Sequence, residues 1–142
     1  MPRVQTEQFG ELEYSEDAAL LFTRGLPGFE AARRFVLLDD AELAPLVHLQ
    51  SLEIGGLCFL ALPVRSIEPE YETALTGEDR EVLGRGPTLD LALLSADHEG
   101  SLSANLLAPV VIDLATRRAV QAVRADSRYS YRHSLSEVPV CS

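Results

Sequence analysis

Side chains able to do acid–base or metal chemistry are few in this chain, and they are scattered. His48, His98 and His133 stand far apart, and none has a partner at the spacing of metal ligands. Glu70 and Glu72 lie two residues apart on an extended stretch, so both carboxylates would share one face, where they could serve general acid–base catalysis. A solvated strand edge accounts for the same pair and is the interpretation that we favour. We therefore predict no catalytic residue, no metal site and no cofactor.

Motifs for covalent catalysis and phosphate binding are also absent. Ser51, Ser95 and Ser127 lack the G-x-S-x-G context of a nucleophile, and the chain contains neither G-x-x-x-x-G-K-[ST] nor G-x-G-x-x-G. Cys58 lies within the apolar run LCFLAL, which indicates a buried, inert thiol, and Cys141 is next to last. Two cysteines so placed indicate no disulfide framework.

The stretch DSRYSYRHS (126–134) is the densest group of residues suited to recognition. It holds two tyrosines, two arginines and a histidine. Such residues are favoured at protein interfaces, because they combine a large contact area with directional hydrogen bonds. They could also stack on single-stranded nucleic acid. A closing strand whose arginines pair with acidic residues would explain the stretch equally well, and composition does not separate these interpretations.

The charge of the chain is strongly negative and unevenly distributed. The formal net charge is -10, and all 12 basic residues are arginines. Residues 1–100 hold 19 acidic residues and seven arginines, whereas residues 101–142 hold three and five. An acidic body repels phosphate backbones, which argues against direct nucleic-acid binding, and it suits a basic protein partner. Solubility alone would also explain the acidity.

Short stretches with strand periodicity must position these side chains. The clearest are FGELEY (9–14), FVLL (35–38), LVHLQSL (46–52), LCFLAL (57–62), LDLALLS (89–95), VVIDL (110–114) and AVQAVR (119–124). Glycine and proline turns separate them, a pattern typical of an all-β sandwich or barrel. We predict one mainly antiparallel all-β domain over residues 1–142, barrel-like or sandwich-like, with one short helix. Residues from about 135 to 142 are expected to form a tail that can be mobile.

The single predicted helix follows Thr76 in TGEDREVLG. Thr76 can cap its start, acidic residues in the first turn suit the helix dipole, and Gly84 is placed to cap its end. Val82 and Leu83 would anchor it inward. The polar N-terminus predicts no signal peptide, and no apolar run has the length of a membrane helix. We therefore predict a cytoplasmic protein without a membrane partner.

The apolar run ANLLAPVVID (104–113) has a local explanation. Pro109 cannot donate a ladder hydrogen bond, so it belongs at the start or edge of a strand. Asn105 suits the loop before that strand, where its amide can satisfy backbone groups. Val110, Ile112 and Leu114 would then pack on one face, so the run is predicted to be core.

Taken together, these motifs resemble the family of the flagellar assembly factor FliW. The matching pieces follow the family's order over nearly the whole chain: FGELEY, GLPGFE (25–30), FVLL, LQS (49–51), YETAL and EDREVLG (71–84), ANLLAPVVID and YSYRH (129–133). GLPGFE, NLLAPVVI and YSxRH are specific in combination. The chain departs from the family's pattern at His48, at VRSI (64–67) and in its end SLSEVPVCS.

The resemblance implies a binding protein and no enzyme. Members of the family bind the translational regulator CsrA, which relieves repression of flagellin mRNA, and flagellin competes for the same protein. The implied partners are thus a CsrA-like regulator and flagellin, with no direct nucleic-acid binding. From the motifs we predict a partner surface formed by Gln50, Ser51, Asn105, Leu106, Tyr129 and Arg132. We expect Leu106 to be exposed there, as part of an apolar patch with its neighbours.

Three other functions remain open at the level of sequence. A small β-barrel enzyme could use His133 or the pair Glu70 and Glu72, and it would need a pocket with convergent polar groups. A direct RNA binder could use the arginine-rich C-terminal stretch, with salt-dependent affinity. A scaffold protein could use its divergent edge for an unrelated ligand.

Overall fold

The computed structural model describes residues 2–40, 42–126 and 128–135, which contain eleven strands, two short α-helices and one 3-10 helix. The strands are β1 (Arg3–Thr6), β2 (Gly10–Glu13), β3 (Leu20–Leu21), β4 (Arg34–Asp39), β5 (Val47–Ser51), β6 (Cys58–Pro63), β7 (Thr88–Ala96), β8 (Leu102–Ala104), β9 (Val110–Asp113), β10 (Ala119–Gln121) and β11 (His133–Ser134). The helices are α1 (Val64–Ile67), α2 (Gly77–Leu83) and the 3-10 helix Glu16–Ala18. The predicted tail lies almost entirely outside the described residues, and the extent of the domain stays a prediction.

All strand ladders are antiparallel, as predicted. Strands β1 and β2 form a separate hairpin, and the other nine form one sheet in the order β10-β9-β7-β6-β5-β4-β3, with β8 paired to β7 and β11 paired to β8. The two ends of this sheet approach each other, because Leu21 forms an isolated bridge with Arg118 and its N–H donates to the Arg117 carbonyl at 2.9 Å. No ladder among the described residues completes this closure, so the predicted all-β, mainly antiparallel fold is confirmed without a closed barrel.

The described residues contain two α-helices, one more than predicted. The capped helix over TGEDREVLG is α2, and its Thr76 and Asp79 form a reciprocal capping box. The second helix, α1, is a single turn formed by VRSI directly after β6. It carries a fully buried Val64, which holds the turn against the sheet. A helix of one turn is too short to show a helical repeat of apolar residues, so α1 cannot be predicted from its sequence pattern.

Both faces of the sheet are covered, so the side chains of its central strand β5 are buried on either face. All five residues of β5 are buried. One face packs into a cluster that includes Leu20, Phe22, Phe35, Leu49, Leu91 and Ile112. The other face packs into a cluster that includes Leu62, Val64, Tyr71, Ala92, Leu106 and Leu135. A run of residues such as ANLLAPVVID therefore needs no ligand to explain it, since burial of each large apolar side chain contributes about 1.5–3 kcal/mol.

The β9–β10 hairpin confirms most of the expectation for that run. Pro109 directly precedes β9, and Val110 and Ile112 are buried as predicted. Val111 is buried on the opposite face, against α2 and β10. Leu114 departs from the prediction with 44% exposure, because β9 ends at Asp113 and the chain turns away from the core.

Strand β7 is the element that divides the sheet. Its first half pairs with β9, its middle pairs with β6, and its last three residues pair with β8. The β6–β7 ladder ends at the pair Ala61 and Leu93. Beyond that pair, β6 continues along β5 and β7 continues along β8, so the two strands separate and leave a groove between them.

Candidate protein-binding site

Gln50 and Ser51, two residues of the predicted partner surface, are buried completely. The Gln50 side-chain amide donates to the carbonyls of Ser51, Gly55 and Leu57 at 3.0–3.2 Å. The Ser51 hydroxyl accepts from the N–H groups of Glu53 and Ile54 at 3.1 and 2.9 Å. Both side chains therefore hold the turn between β5 and β6, and neither offers a surface to a partner in this structure.

The neighbouring pair Asn105 and Leu106 behaves differently from the expectation. Asn105 is half-buried, and its Oδ1 accepts from the N–H groups of Leu107 and Ala108 at 3.1 and 3.0 Å. Leu106 is fully buried in the second core cluster, so its predicted exposure is wrong. The turn that Asn105 forms is the physical reason, because it aims the next side chain inward beneath the C-terminal segment. That segment is held in turn, since the Leu106 N–H donates to the Ser130 carbonyl at 3.0 Å.

A buried arginine organises the C-terminal segment, and sequence reasoning did not single it out. The Arg124 guanidinium lies over the rings of both Tyr71 and Tyr129, 5.3 and 5.0 Å from their centroids. It forms a two-bond ion pair with Asp126 at 2.9 and 3.0 Å and donates to the Glu72 carbonyl. We call these five residues the Arg124 cluster. It ties the end of β10 to the loop before α2 and to the residues that follow.

The electrostatics of this cluster favour the charged pair. The hydrogen bonds between Arg124 and Asp126 raise the pKa of Arg124 and lower the pKa of Asp126. Burial raises the pKa of Tyr71, and the adjacent guanidinium offsets part of that rise. The Tyr71 hydroxyl donates to the Leu106 carbonyl at 2.6 Å. The cluster is thus fixed in its ionised form around neutral pH, with Tyr71 as a hydrogen-bond donor.

Tyr129 and Arg132, the last two predicted contact residues, remain accessible to different degrees. Tyr129 is half-buried against Tyr71, with ring centroids 4.6 Å apart, while Arg132 is exposed and lies over the exposed ring of Tyr131. The structure brings Arg132 and Asn105 together on the wall of the groove beside β7. Tyr129 belongs to the Arg124 cluster. The alternation of tyrosine and arginine in RADSRYSYR was the available signal for that cluster.

A second feature of the surface is strongly acidic. Residues 68–81, which we call the acidic segment, comprise the loop after α1 and most of α2 and contain six acidic residues and one arginine. Asp79 is buried and paired with Arg24 at 2.6 Å. No ion pair within the described part of the chain involves the exposed carboxylates of Glu70, Glu72, Glu78 and Glu81. They leave an uncompensated negative charge on one side of the molecule.

The described residues contain no arrangement typical of catalysis or metal binding. Glu70 and Glu72 are exposed in a loop without a convergent polar partner. His48 is buried, and its Nε2 lies 3.0 Å from Asp40 Oδ2. This contact ties β5 to the residue that directly follows β4. No group of three potential metal ligands occurs within residues 2–40, 42–126 and 128–135. Neither helix in this part of the chain has the length and hydropathy of a membrane-spanning segment.

Two buried carboxylates predict a loss of stability in acid. Hydrogen bonds from Thr116 and Ala115 lower the pKa of Asp113 against the effect of burial, and burial of Asp79 is outweighed by bonds from Thr76 and Arg24, which lower its pKa. A carboxyl whose folded-state pKa is depressed contributes stability above its unfolded pKa, about 3.9. That contribution is lost as the pH falls through the folded-state pKa.

We therefore expect the free energy of unfolding, measured by urea denaturation at a series of pH values, to fall steeply below about pH 4. The same measurement on Asp113→Asn should show a lower stability at pH 7 and a shallower fall in acid. An unchanged acid slope in this variant would contradict the assigned role of Asp113.

The fold and these surfaces define a mainly antiparallel β-sheet protein that carries an acidic segment and the Arg124 cluster. Comparison with known proteins is consistent with this class. The model of the FliW protein family matches residues 3–135. The flagellar assembly factor FliW of Syntrophotalea carbinolica is 33% identical over 138 residues, covering 95% of this chain and 99% of the relative. The Bdellovibrio bacteriovorus factor is also 33% identical, covering 93% of this chain and 78% of the relative.

A crystal structure of the flagellar assembly factor FliW superposes with a TM-score of 0.84 at 28% identity, covering 94% of this chain and 96% of that one. The chain therefore belongs to the FliW family of flagellar assembly factors. Because this family is not enzymatic, the chain is a flagellar assembly factor without a catalytic activity, and the predicted family is confirmed.

Proposed function

We propose that this protein binds a CsrA-like translational regulator and flagellin in the cytoplasm, and so couples translation of flagellin to flagellar assembly. Family membership supports this proposal, and the acidic segment is the observation on this chain that carries it. A regulator that binds RNA must present a basic surface, and the exposed carboxylates of residues 68–81 are complementary to such a surface. Flagellin would compete for the same protein.

The acidic segment also supplies a mechanism for relieving repression. An acidic protein docked beside an RNA-binding surface repels the phosphate backbone in addition to occupying space. The single domain carries 19 acidic residues against seven arginines in its first 100 residues, so the repulsion extends beyond the contact. Physiological salt screens charges over about 8 Å, so the electrostatic repulsion of RNA is confined to the immediate neighbourhood of the docked protein.

The predicted partner surface enters this proposal in a reduced form. Asn105, Tyr129 and Arg132 keep accessible atoms and remain candidates for direct contact with a partner. Gln50, Ser51 and Leu106 are buried and would support binding only indirectly, because Gln50 and Ser51 fix the turn between β5 and β6 and Leu106 packs beneath the C-terminal segment.

The decisive experiment measures binding of a CsrA-like regulator by titration calorimetry at several salt concentrations. We expect the triple substitution Glu70→Gln, Glu78→Gln, Glu81→Gln to weaken binding by about tenfold or more and to reduce its salt dependence. The matched control, Glu7→Gln, Glu42→Gln, Glu99→Gln, removes the same charge from exposed side chains outside the acidic segment. It should change affinity by less than about threefold, since distant exposed charges are screened.

Equal losses in both triple variants would place the interaction elsewhere and leave only a general effect of net charge. A flat response to salt in the unmodified protein would remove the electrostatic mechanism. Failure of both the regulator and flagellin to bind would contradict the proposed function itself.

A further inference from the structure

The groove beside β7 offers strand edges to a ligand. Residues 58–60 of β6 pair with β5 alone, and residues 94–96 of β7 pair with β8 alone. Each segment therefore has one edge that no described strand covers. Uncovered edges carry backbone N–H and C=O groups that an extended peptide can pair with, which is the basis of binding by strand addition.

The groove has the size and lining for a short peptide. Its volume is about 820 Å³. Apolar side chains of Phe59 and Leu93 lie at its floor, where they contact the first core cluster, and small polar side chains such as Ser103 line its sides. Three residues of strand span roughly 10 Å, so the free part of β7 can pair with about three residues of a bound segment.

The groove differs from the rest of the molecule in its charge. Arg132 lies on its wall, is exposed and has no ion-pair partner within residues 2–40, 42–126 and 128–135. His98 also lines the groove. The carboxylate of Asp97, at the opposite end, already accepts the N–H groups of Glu99 and Ser101 in its own turn. On a chain of charge -10, a guanidinium that lines this groove and has no ion-pair partner in the described part of the chain favours a ligand that carries a carboxylate.

We propose that this groove binds an extended, acidic segment of a partner polypeptide by strand addition to β7, with a ligand carboxylate paired to Arg132. The register places Arg132 next to His133, which pairs with Ala104, and Ala104 pairs in turn with Leu94. Arg132 is thus level with the inner end of the free β7 segment, with β8 between the two, and its side chain reaches the groove from that side; the turn of residues 97–100 lies at the outer end. The acidic end of the bound segment is therefore at the inner end. This site is separate from the acidic segment and takes a ligand of opposite charge.

The test uses two blocked hexapeptides, TVTVDE and TVTVKK, labelled for fluorescence anisotropy. We expect the acidic peptide to bind and the lysine peptide to bind at least about tenfold more weakly, because its charges repel Arg132. Arg132→Glu should weaken binding of the acidic peptide by about tenfold or more and improve binding of the lysine peptide. Arg128→Glu is the matched control, since Arg128 is an exposed arginine of the same segment that does not line the groove.

A second pair of variants tests occupancy of the groove. Ala96 is exposed on its wall, so Ala96→Trp should fill the groove and abolish binding without disturbing the core. Ala31→Trp adds the same side chain at an exposed position outside the groove and should leave binding intact. Amide hydrogen exchange at residues 94–96 should slow by about tenfold or more when the acidic peptide saturates the protein, because pairing protects these N–H groups.

Several results would overturn this proposal. They are no binding of the acidic peptide, equal binding of the two peptides, equal effects of Arg132→Glu and Arg128→Glu, or binding without protection of residues 94–96. A further outcome is that the unmodified protein self-associates but binds no peptide, and that Ala96→Trp abolishes the self-association. This outcome would assign the groove to a second copy of this chain. None of these results bears on the regulator titration, so the failure of this proposal and that of the proposed function are distinguishable.

Discussion

Replacing Leu106 by aspartate is expected to prevent stable folding of this protein. Leu106 is fully buried in the second core cluster, and its backbone bonds both Tyr71 and Ser130. A carboxylate there would lose its hydration without gaining a partner, which costs several kcal/mol even after protonation. A domain of this size has a total stability of about 5–15 kcal/mol. We expect no cooperative unfolding transition at 25 °C, or one at a greatly reduced denaturant concentration.

A milder substitution keeps this prediction measurable. Leu106→Ala should lower the free energy of unfolding by about 2–5 kcal/mol, the range for buried leucines that leave a cavity. Val123→Asp is the control, because Val123 is an apolar residue that is 60% exposed, and it should change stability by less than about 1 kcal/mol. An unchanged melting temperature in Leu106→Asp would show instead that this leucine is a surface residue.

Replacing Arg124 by methionine is expected to have the second-largest effect. Methionine keeps an unbranched stem over Tyr71 and Tyr129 but removes the ion pair with Asp126 and the hydrogen bond to the Glu72 carbonyl. The Arg124 side chain is only 6% exposed, whereas Asp126 is 55% exposed, so water screens the ion pair in part and the guanidinium depends on its buried contacts as well. We expect a loss of about 2–3 kcal/mol, from lost charged hydrogen bonds and cation–π contact. Thermal unfolding should shift down by roughly 4–12 °C.

The chain provides a close control for this substitution. Arg128 also lies over the Tyr129 ring, at 5.4 Å, but it is exposed and forms no ion pair among the described residues. Arg128→Met should therefore change stability by less than about 0.5 kcal/mol. Hydrogen exchange should add a second readout, since the Leu106 N–H loses protection when the segment around Ser130 is released. Similar losses in both variants would mean that ring contact alone explains the effect of Arg124.

The sequence by itself determined the strands, the main helix and the family. Alternating apolar residues and glycine turns predicted β4, β5, β6, β7, β9 and β10, because a side-chain period of two is a local property of strands. The capping residues around α2 are equally local, and Thr76 caps the start of the helix as expected. The family motifs were also visible, since they span nearly the whole chain.

Whether Leu106 and Gln50 are buried was decided by the tertiary structure alone. Leu106 and Gln50 are flanked by polar residues or turn signals, and nothing local distinguishes an exposed side chain there from a buried one. Leu106 is buried because the C-terminal segment returns across it, and that contact depends on Tyr71, more than thirty residues earlier. The Arg124 cluster has the same origin, because β10, the loop before α2 and the C-terminal segment meet only after the sheet has formed.

The openness of the sheet and its groove were likewise beyond the sequence. Strand lengths and turns are compatible with either a closed barrel or an open sheet, because closure depends on the register and curvature of all strands together. Here β7 changes partners from β6 to β8 beyond Leu93, and this exchange opens the groove that holds Asn105 and Arg132. The residue types were thus readable along the chain, whereas their assembly into surfaces depended on long-range strand pairing, which no local pattern encodes.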